Sequence, residues 1–292
     1  MIELLLLLGL AAMGSLFGLL ESDDDAATPE SPGDEVIVGT SGADIMTGTN
    51  DTDLMFGGAG DDMMSGLAGE DLMAGEAGDD TLDGGDGSDL LDGGAGNDEL
   101  LGGNGADGLL GMGGNDLLVG GNGNDEMDGG AGDDRLDGLY GNDFLFGGAG
   151  ADHLRGGAGD DTVSGYWDGG ADDLPNHADI YDPDTLSGAA GDDLLVMGSG
   201  DSAYGGEGFD VFATGEYVDP ANPPVIEDWT SGEDVLMVLI DEADPTPGDL
   251  GMSFDPLDSS RVTVTYNGQP VAILINHGDF QDDFVLVPTR FT

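Results

Sequence analysis

The chain has 292 residues with 57 glycines, no cysteine, and 62 acidic side chains against four basic ones, for a formal net charge of −58 at neutral pH. Without cysteine there is no disulfide, thiolate metal site or cysteine nucleophile; with no lysine and only Arg135, Arg155, Arg261 and Arg290, the surface repels phosphate backbones and anionic headgroups, which excludes nucleic acid as a partner. At 38% hydrophobic residues the chain is too lean for an ordinary packed globule, and its charge repels itself in any compact form that lacks cations.

Residues 2–20 are apolar apart from Glu3, Ser15 and glycines. As a helix they would reach about 28 Å, close to the hydrocarbon thickness of a bilayer. This predicts a hydrophobic N-terminal helix over residues 1–20, either an anchor or an uncleaved segment. A cleaved secretory signal is the competing reading, but such signals open with basic residues, whereas this chain opens Met1-Ile2-Glu3. Membrane contact is expected only through residues 2–20. Residues 21–34, ESDDDAATPESPGD, have the acidic, proline-containing composition of an extended linker.

Residues 39–164 then divide without a gap into nonapeptides such as GGAGDDMMS (57–65) and GGDGSDLLD (84–92). Position six is always aspartate: Asp44, Asp53, Asp62, Asp71, Asp80, Asp89, Asp98, Asp107, Asp116, Asp125, Asp134, Asp143, Asp152 and Asp161. Position eight is always a medium-sized apolar residue, from Met46 through Leu100 to Val163. Glycines allow a tight turn that aims backbone carbonyls at one point, where the aspartate adds a carboxylate. Oxygen-only ligation of this kind suits a hard cation. The x-U-x that closes each unit reads as a three-residue strand with its middle side chain inward. Aspartates also cap turns without any metal, and that reading is preferred for the extra position-five acids Asp61, Asp79, Asp133 and Asp160.

The pattern matches G-G-x-G-x-D-x-U-x, so the chain resembles the RTX, or hemolysin-type calcium-binding, repeat proteins over more than half its length. The resemblance implies an all-β fold, a right-handed parallel β-roll in which two nonapeptides close one coil and loops stack 18 residues apart. A cation would sit between Asp80 and Asp98, or between Asp89 and Asp107, giving about a dozen Ca2+ ions in all. It also implies an extracellular or cell-surface location on a bacterium.

The array is irregular at its edges. Glu35 and Ile37 fit positions six and eight of a preceding unit, and GTNDTDLMF (48–56) carries Asp51 where a glycine belongs. After Ser164 the period fails until Asp184-Thr185-Leu186-Ser187, so residues 165–187 read as one repeat whose loop gained fourteen residues. That loop carries Tyr166, Trp167, His177 and Tyr181, which make it a candidate for a surface or polysaccharide partner or else an inert decoration. Asp193 and Asp210 are further expected ligands, with Asp184, and between them lies an eight-residue unit in which Ser202 takes the place of the aspartate. The roll is therefore assigned to residues 35–213.

Residues 214–292 read as a small β-rich C-terminal cap with strands at 235–240 and 261–275 and a type I′ hairpin at Asn267-Gly268. VIEDWTSGEDVL (225–236) and the ending DDFVLV look like the C-terminal region of serralysin-type RTX proteins, which implies an uncleaved type I secretion signal. Pro288 to the C-terminus departs from that pattern. No H-E-x-x-H or G-x-S-x-G is present, and His153, His177 and His277 are isolated, so no enzyme is expected. A secreted, non-catalytic calcium-binding module is the leading expectation; an adhesin or matrix component that uses the expanded loop or the C-terminal module is the alternative.

Overall fold

The computed structural model describes residues 35–165, 183–215, 218–230, 233–241, 250–254, 261–275 and 284–289. They form strands and turns, with no helix among the described residues. The hydrophobic segment 1–20, the linker 21–34, the inserted aromatics and His177 and His277 lie outside them.

Consecutive nonapeptides go to opposite sheets. Thr81–Asp86 and Glu99–Asn104 are neighbours in one sheet, while Leu90–Ala95, between them in sequence, belongs to the other. The first sheet starts at Glu35–Val38 and has twelve strands; the second starts at Ile45–Thr47 and has thirteen. Pairing in the repeats is parallel with Thr81 opposite Glu99 and Leu82 opposite Leu100, the 18-residue register that the period implies. The result is an all-β parallel roll.

The strands are longer than x-U-x. Thr81–Asp86 is typical, running from position seven through the two glycines to position three of the next unit. Stacking explains the extension, because each coil supplies hydrogen-bond partners for the whole flank of its neighbour and only the Gly-x-Asp segment is left to turn. At position two the backbone turns with positive φ. Gly121, at +119°, shows why glycine serves there: a Cβ would press on the carbonyl oxygen of Gly103, one coil earlier. Leu67, Glu76, Met112, Leu139 and Ala189 hold the same position with φ of 71–81° and therefore carry backbone strain.

Period-two alternation sends the position-eight side chains inward, where Leu82, Leu91, Leu100, Leu109 and Leu118 are fully buried. The core is thus a row of single side chains from each sheet, unusually thin for a chain of this size.

Both departures from the period are absorbed in loops. Across the insertion His153 pairs with Thr185 and Val163 lies opposite Leu195, a register of 32 that equals 18 plus the fourteen inserted residues. Across the eight-residue unit Thr185 pairs with Ser202, a register of 17. This corrects the reading of Ser202: it starts a strand at position seven, and Asp201 holds position six. The residue was lost from the loop ahead of the aspartate, so the carboxylate is kept.

The parallel ladders run on past residue 213. Val235–Asp241 and then Phe284–Thr289 extend the first sheet. Val225–Ile226 and Gln269–Ile275 extend the second, which Arg261–Tyr266 and Leu250–Phe254 finish antiparallel. Asn267 and Gly268 both have positive φ, 53° and 79°, as a type I′ hairpin requires. Inside this end the Phe212 and Trp229 rings pack with centroids 6.0 Å apart.

Leu109→Ala should lower the unfolding free energy by about 2–5 kcal/mol in a urea titration. Met112→Gly, at an exposed and strained position, should leave it unchanged or raise it by up to about 1 kcal/mol.

Candidate metal centres

The position-six aspartates form two unbroken columns, one beside each run of turns. The first comprises Asp53, Asp71, Asp89, Asp107, Asp125, Asp143, Asp161, Asp193, Asp210 and Asp234, with Glu35 at its head donating its N–H to Asp53. The second comprises Asp44, Asp62, Asp80, Asp98, Asp116, Asp134, Asp152, Asp184 and Asp201. In both, each backbone N–H donates to Oδ1 of the aspartate one coil on; Asp80 to Asp98 is 2.7 Å and Asp89 to Asp107 is 2.8 Å.

The second carboxylate oxygen has no such donor through the interior. Oδ2 of Asp62, Asp71, Asp80, Asp89, Asp98, Asp107, Asp116, Asp125, Asp134, Asp143, Asp161 and Asp193 is buried without a hydrogen-bond partner from the protein. Burying a carboxylate oxygen in this way is costly unless a positive charge meets it. Each points into space that a side chain at position one would fill. A Cβ on Gly102 would lie 2.6 Å from both Asp107 Oδ2 and the carbonyl oxygen of Gly120, one coil on. A carboxylate and a main-chain carbonyl therefore converge on one small volume lined by oxygen. No three acidic or histidine side chains come together among the described residues; a cation held here would be met by main-chain oxygens as well as carboxylates. That donor set is a hard-cation set, suited to calcium, which accepts six to eight oxygens in flexible geometry.

Near the ends the arrangement changes. Thr40 N–H donates to Asp44 Oδ2 and Thr49 N–H to Asp53 Oδ2, and at the other end Gly198 N–H donates to Asp201 Oδ2 and Thr230 N–H to Asp234 Oδ2, all at 2.6 Å. These four carboxylates are satisfied by their own turns. Across the insertion the repeat closes on itself, since Gly165 faces Asp184 Oδ2 as any position-one glycine faces its own aspartate.

The position-five side chains form ladders of the opposite sense. Asp61 Oδ1 accepts from Asp79 N–H, Asp79 from Asn97, Asn97 from Asn115, Asn115 from Asp133 and Asp133 from Ala151, each one coil forward. Asp160 likewise accepts from Asp192 across the insertion. These acids are exposed, and what their carboxylates accept is the N–H of the next coil rather than one in their own turn. His153 stands exposed at an outward strand position.

Two groups escaped the period. Residues 229–237, WTSGEDVLM, are a further repeat with Trp229 at position one, Asp234 at six and Leu236 at eight, hidden by the missing glycine pair. Asp228 belongs to no repeat; its two oxygens accept the N–H groups of Gly205 and Gly206 at 2.9 and 3.1 Å and so close the last glycine turn of the second sheet.

The RTX calcium-binding nonapeptide repeat (4 copies) matches residues 31–64, 65–100, 101–136, 137–173 and 182–203, more than half of the chain. The chain belongs to that family. No curated protein matches it. The RTX repeats bind calcium, and the regular series of buried aspartates in the two columns fits multiple calcium sites.

Without cations the columns resist ionisation. Burial pushes the carboxyls of Asp71, Asp89, Asp98, Asp116, Asp134 and Asp193 up to about 6 and those of Asp125 and Asp161 up to about 7. The N–H donor one coil back pulls each of them down, and neighbouring carboxylates push further up. A carboxyl with a raised folded-state value binds more protons folded than unfolded, so the metal-free roll loses stability as pH climbs from about 4 to about 7. Calcium-free protein should therefore gain β-type circular dichroism on acidification from about pH 7.5 to about pH 5. Protons should compete with calcium over the same window, moving the calcium midpoint upward by about tenfold at pH 5.5.

Proposed function

We propose that this RTX chain is an extracellular or cell-surface module without catalytic activity, whose folding is switched on by calcium. The observation that carries the reading is the run of twelve buried Oδ2 atoms without a protein donor, each beside a position-one glycine. Asp62, Asp80, Asp98, Asp116 and Asp134 in one column, and Asp71, Asp89, Asp107, Asp125, Asp143, Asp161 and Asp193 in the other, would hold the ions together with loop carbonyls. Bound calcium supplies positive charge between stacked carboxylates.

Like charges one strand spacing apart, about 4.8 Å, oppose each other by roughly 3 kcal/mol per contact at an effective dielectric of about 20. That is as large as a charged hydrogen bond, worth about 1.5–3 kcal/mol, so the backbone N–H donors alone do not hold the ionised columns together. With calcium at 100 times its dissociation constant, each site adds about 2.7 kcal/mol to the folded state. About a dozen such sites make the roll stable where calcium is plentiful and leave the chain unfolded, in a state fit for export, where it is scarce. Residues 35–213 supply this switch; the later strands, ending in the antiparallel hairpin, serve to close the sheet ends against pairing with another chain.

Far-UV circular dichroism during a calcium titration tests the reading, with magnesium as control, because magnesium demands octahedral geometry and keeps its waters. A cooperative gain of β signal with calcium alone is expected; a metal-free protein already folded at neutral pH would overturn it. Asp107→Asn and Asp125→Asn should each raise the calcium midpoint and lower the number of bound ions. Asp201→Asn, at a carboxylate already bonded within its turn, should leave the ion count unchanged.

A further inference from the structure

The turns beside the two aspartate columns present different side chains. Beside the second column position three is small, as at Ala77, Ala95, Gly113 and Ala131. Beside the first column the same position runs Asp86, Asn104, Asn122, Tyr140, and the first three form a side-chain ladder. Asn104 Nδ2 donates to Asp86 Oδ1 at 2.6 Å, and Asn122 Nδ2 donates to Asn104 Oδ1 at 2.8 Å. The ladder stops at Tyr140, which lies opposite Asn122 in register and has no amide to continue it. Its ring is the most exposed aromatic among the described residues, at 63%, and its hydroxyl has no partner among them. The position-five amides of the same turns run alongside: Asn142 N–H donates to Asn124 Oδ1 at 3.0 Å, and Asp160 N–H donates to Asn142 Oδ1 at 3.1 Å.

We propose that Tyr140 and the amides around it bind an uncharged polysaccharide, which lies along the stack of turns with one sugar ring against the Tyr140 ring. An amide carries two N–H donors and an oxygen with two lone pairs. Asn122 uses one N–H in the ladder and keeps the other, with its Oδ1 free; Asn124 and Asn142 use Oδ1 and keep both side-chain N–H groups. Donors and acceptors therefore stand beside an exposed ring, the combination that meets the hydroxyl groups of a sugar and the apolar C–H face of its ring. Hydrogen bonds between coils already hold these amides, so little side-chain freedom is lost on binding. Charge selects the class of polymer. Positions three and five are uncharged from Asn104 to Asn142, in a chain of net charge −58, and Asp86 and Asp160 bound the strip, so a sulfated, phosphorylated or uronic acid chain is repelled. Size excludes a protein partner: from Asn104 to Tyr140 is about 10 Å at a coil spacing of about 4.8 Å, whereas a stable protein interface needs about 800 Å2 on each side.

Native affinity electrophoresis of the full chain in calcium buffer tests the site, in gels containing mixed-linkage β-glucan, xyloglucan, galactomannan, dextran or, as the anionic comparison, dextran sulfate. Retardation by at least one uncharged polymer, and not by dextran sulfate, is expected. Tyr140→Ala should weaken it about tenfold. Tyr140→Phe, which keeps the ring, should weaken it far less, and Asn122→Ala severalfold. Tyr204→Ala removes an exposed ring from the outer face of the second sheet and should change nothing. No retardation by any uncharged polymer, retardation as strong in dextran sulfate, or equal retardation of Tyr140→Ala and the unaltered chain overturns the proposal. The site exists only on the folded roll and in that sense rests on the proposed calcium switch. Far-UV circular dichroism in the same buffer reports the fold separately, so a folded chain that is not retarded counts against this site and leaves the switch standing.

Discussion

Everything in this molecule follows from stacking ionisable carboxylates one above another at the spacing of a β-ladder. The backbone cannot relax the spacing, because hydrogen bonds between coils fix it. The sequence cannot neutralise the charge, because four arginines face 62 acids and the one ion pair among the described residues, Arg155 with Asp137 at 3.5 Å, lies on the exposed surface. Nor does the core compensate, since it gains a single inward side chain per nonapeptide. On the proposed reading, folding and cation binding form a single equilibrium.

Within that constraint the loops are economical. Position-six side chains reach back one coil to accept an N–H while position-five side chains reach forward one coil, so successive turns are tied in both directions. Glycine at position one leaves room for a carboxylate oxygen, and at position two it lets a backbone oxygen of the preceding coil approach. At Asp44, Asp53, Asp201 and Asp234 the carboxylate is instead turned toward its own loop and takes a main-chain N–H on Oδ2. All four lie toward the ends of the array.

The nine-residue period made most of this legible. Position six located both columns and position eight the core, and the 18-residue register followed from two units per coil. The inserted fourteen residues were recognisable because the motif resumes in phase at Asp184. Legibility failed where the period itself changed. One deleted residue shifted the apparent motif onto Ser202 and hid Asp201. Trp229 in place of a glycine hid the unit that ends in Met237. Asp228 has no periodic signature, because its role is to close a turn rather than to repeat one. The strands outgrew x-U-x because their length is set by the neighbouring coil, which a reading of one unit at a time does not include.

Alternation between sheets gives the roll a parity. Loops absorb fourteen extra residues or the loss of one, because neither changes how many strands have been laid down. Gaining or losing one whole nonapeptide is a different event, although it keeps every motif intact. Each later strand would then move to the opposite sheet, and the hairpin at Asn267-Gly268 would finish the other edge, on the other side of the molecule from its present place. Only changes in steps of two units lengthen or shorten the roll while keeping its faces. Duplications that survive in such a chain should therefore be counted in coils of 18 residues, even though the visible repeat is nine.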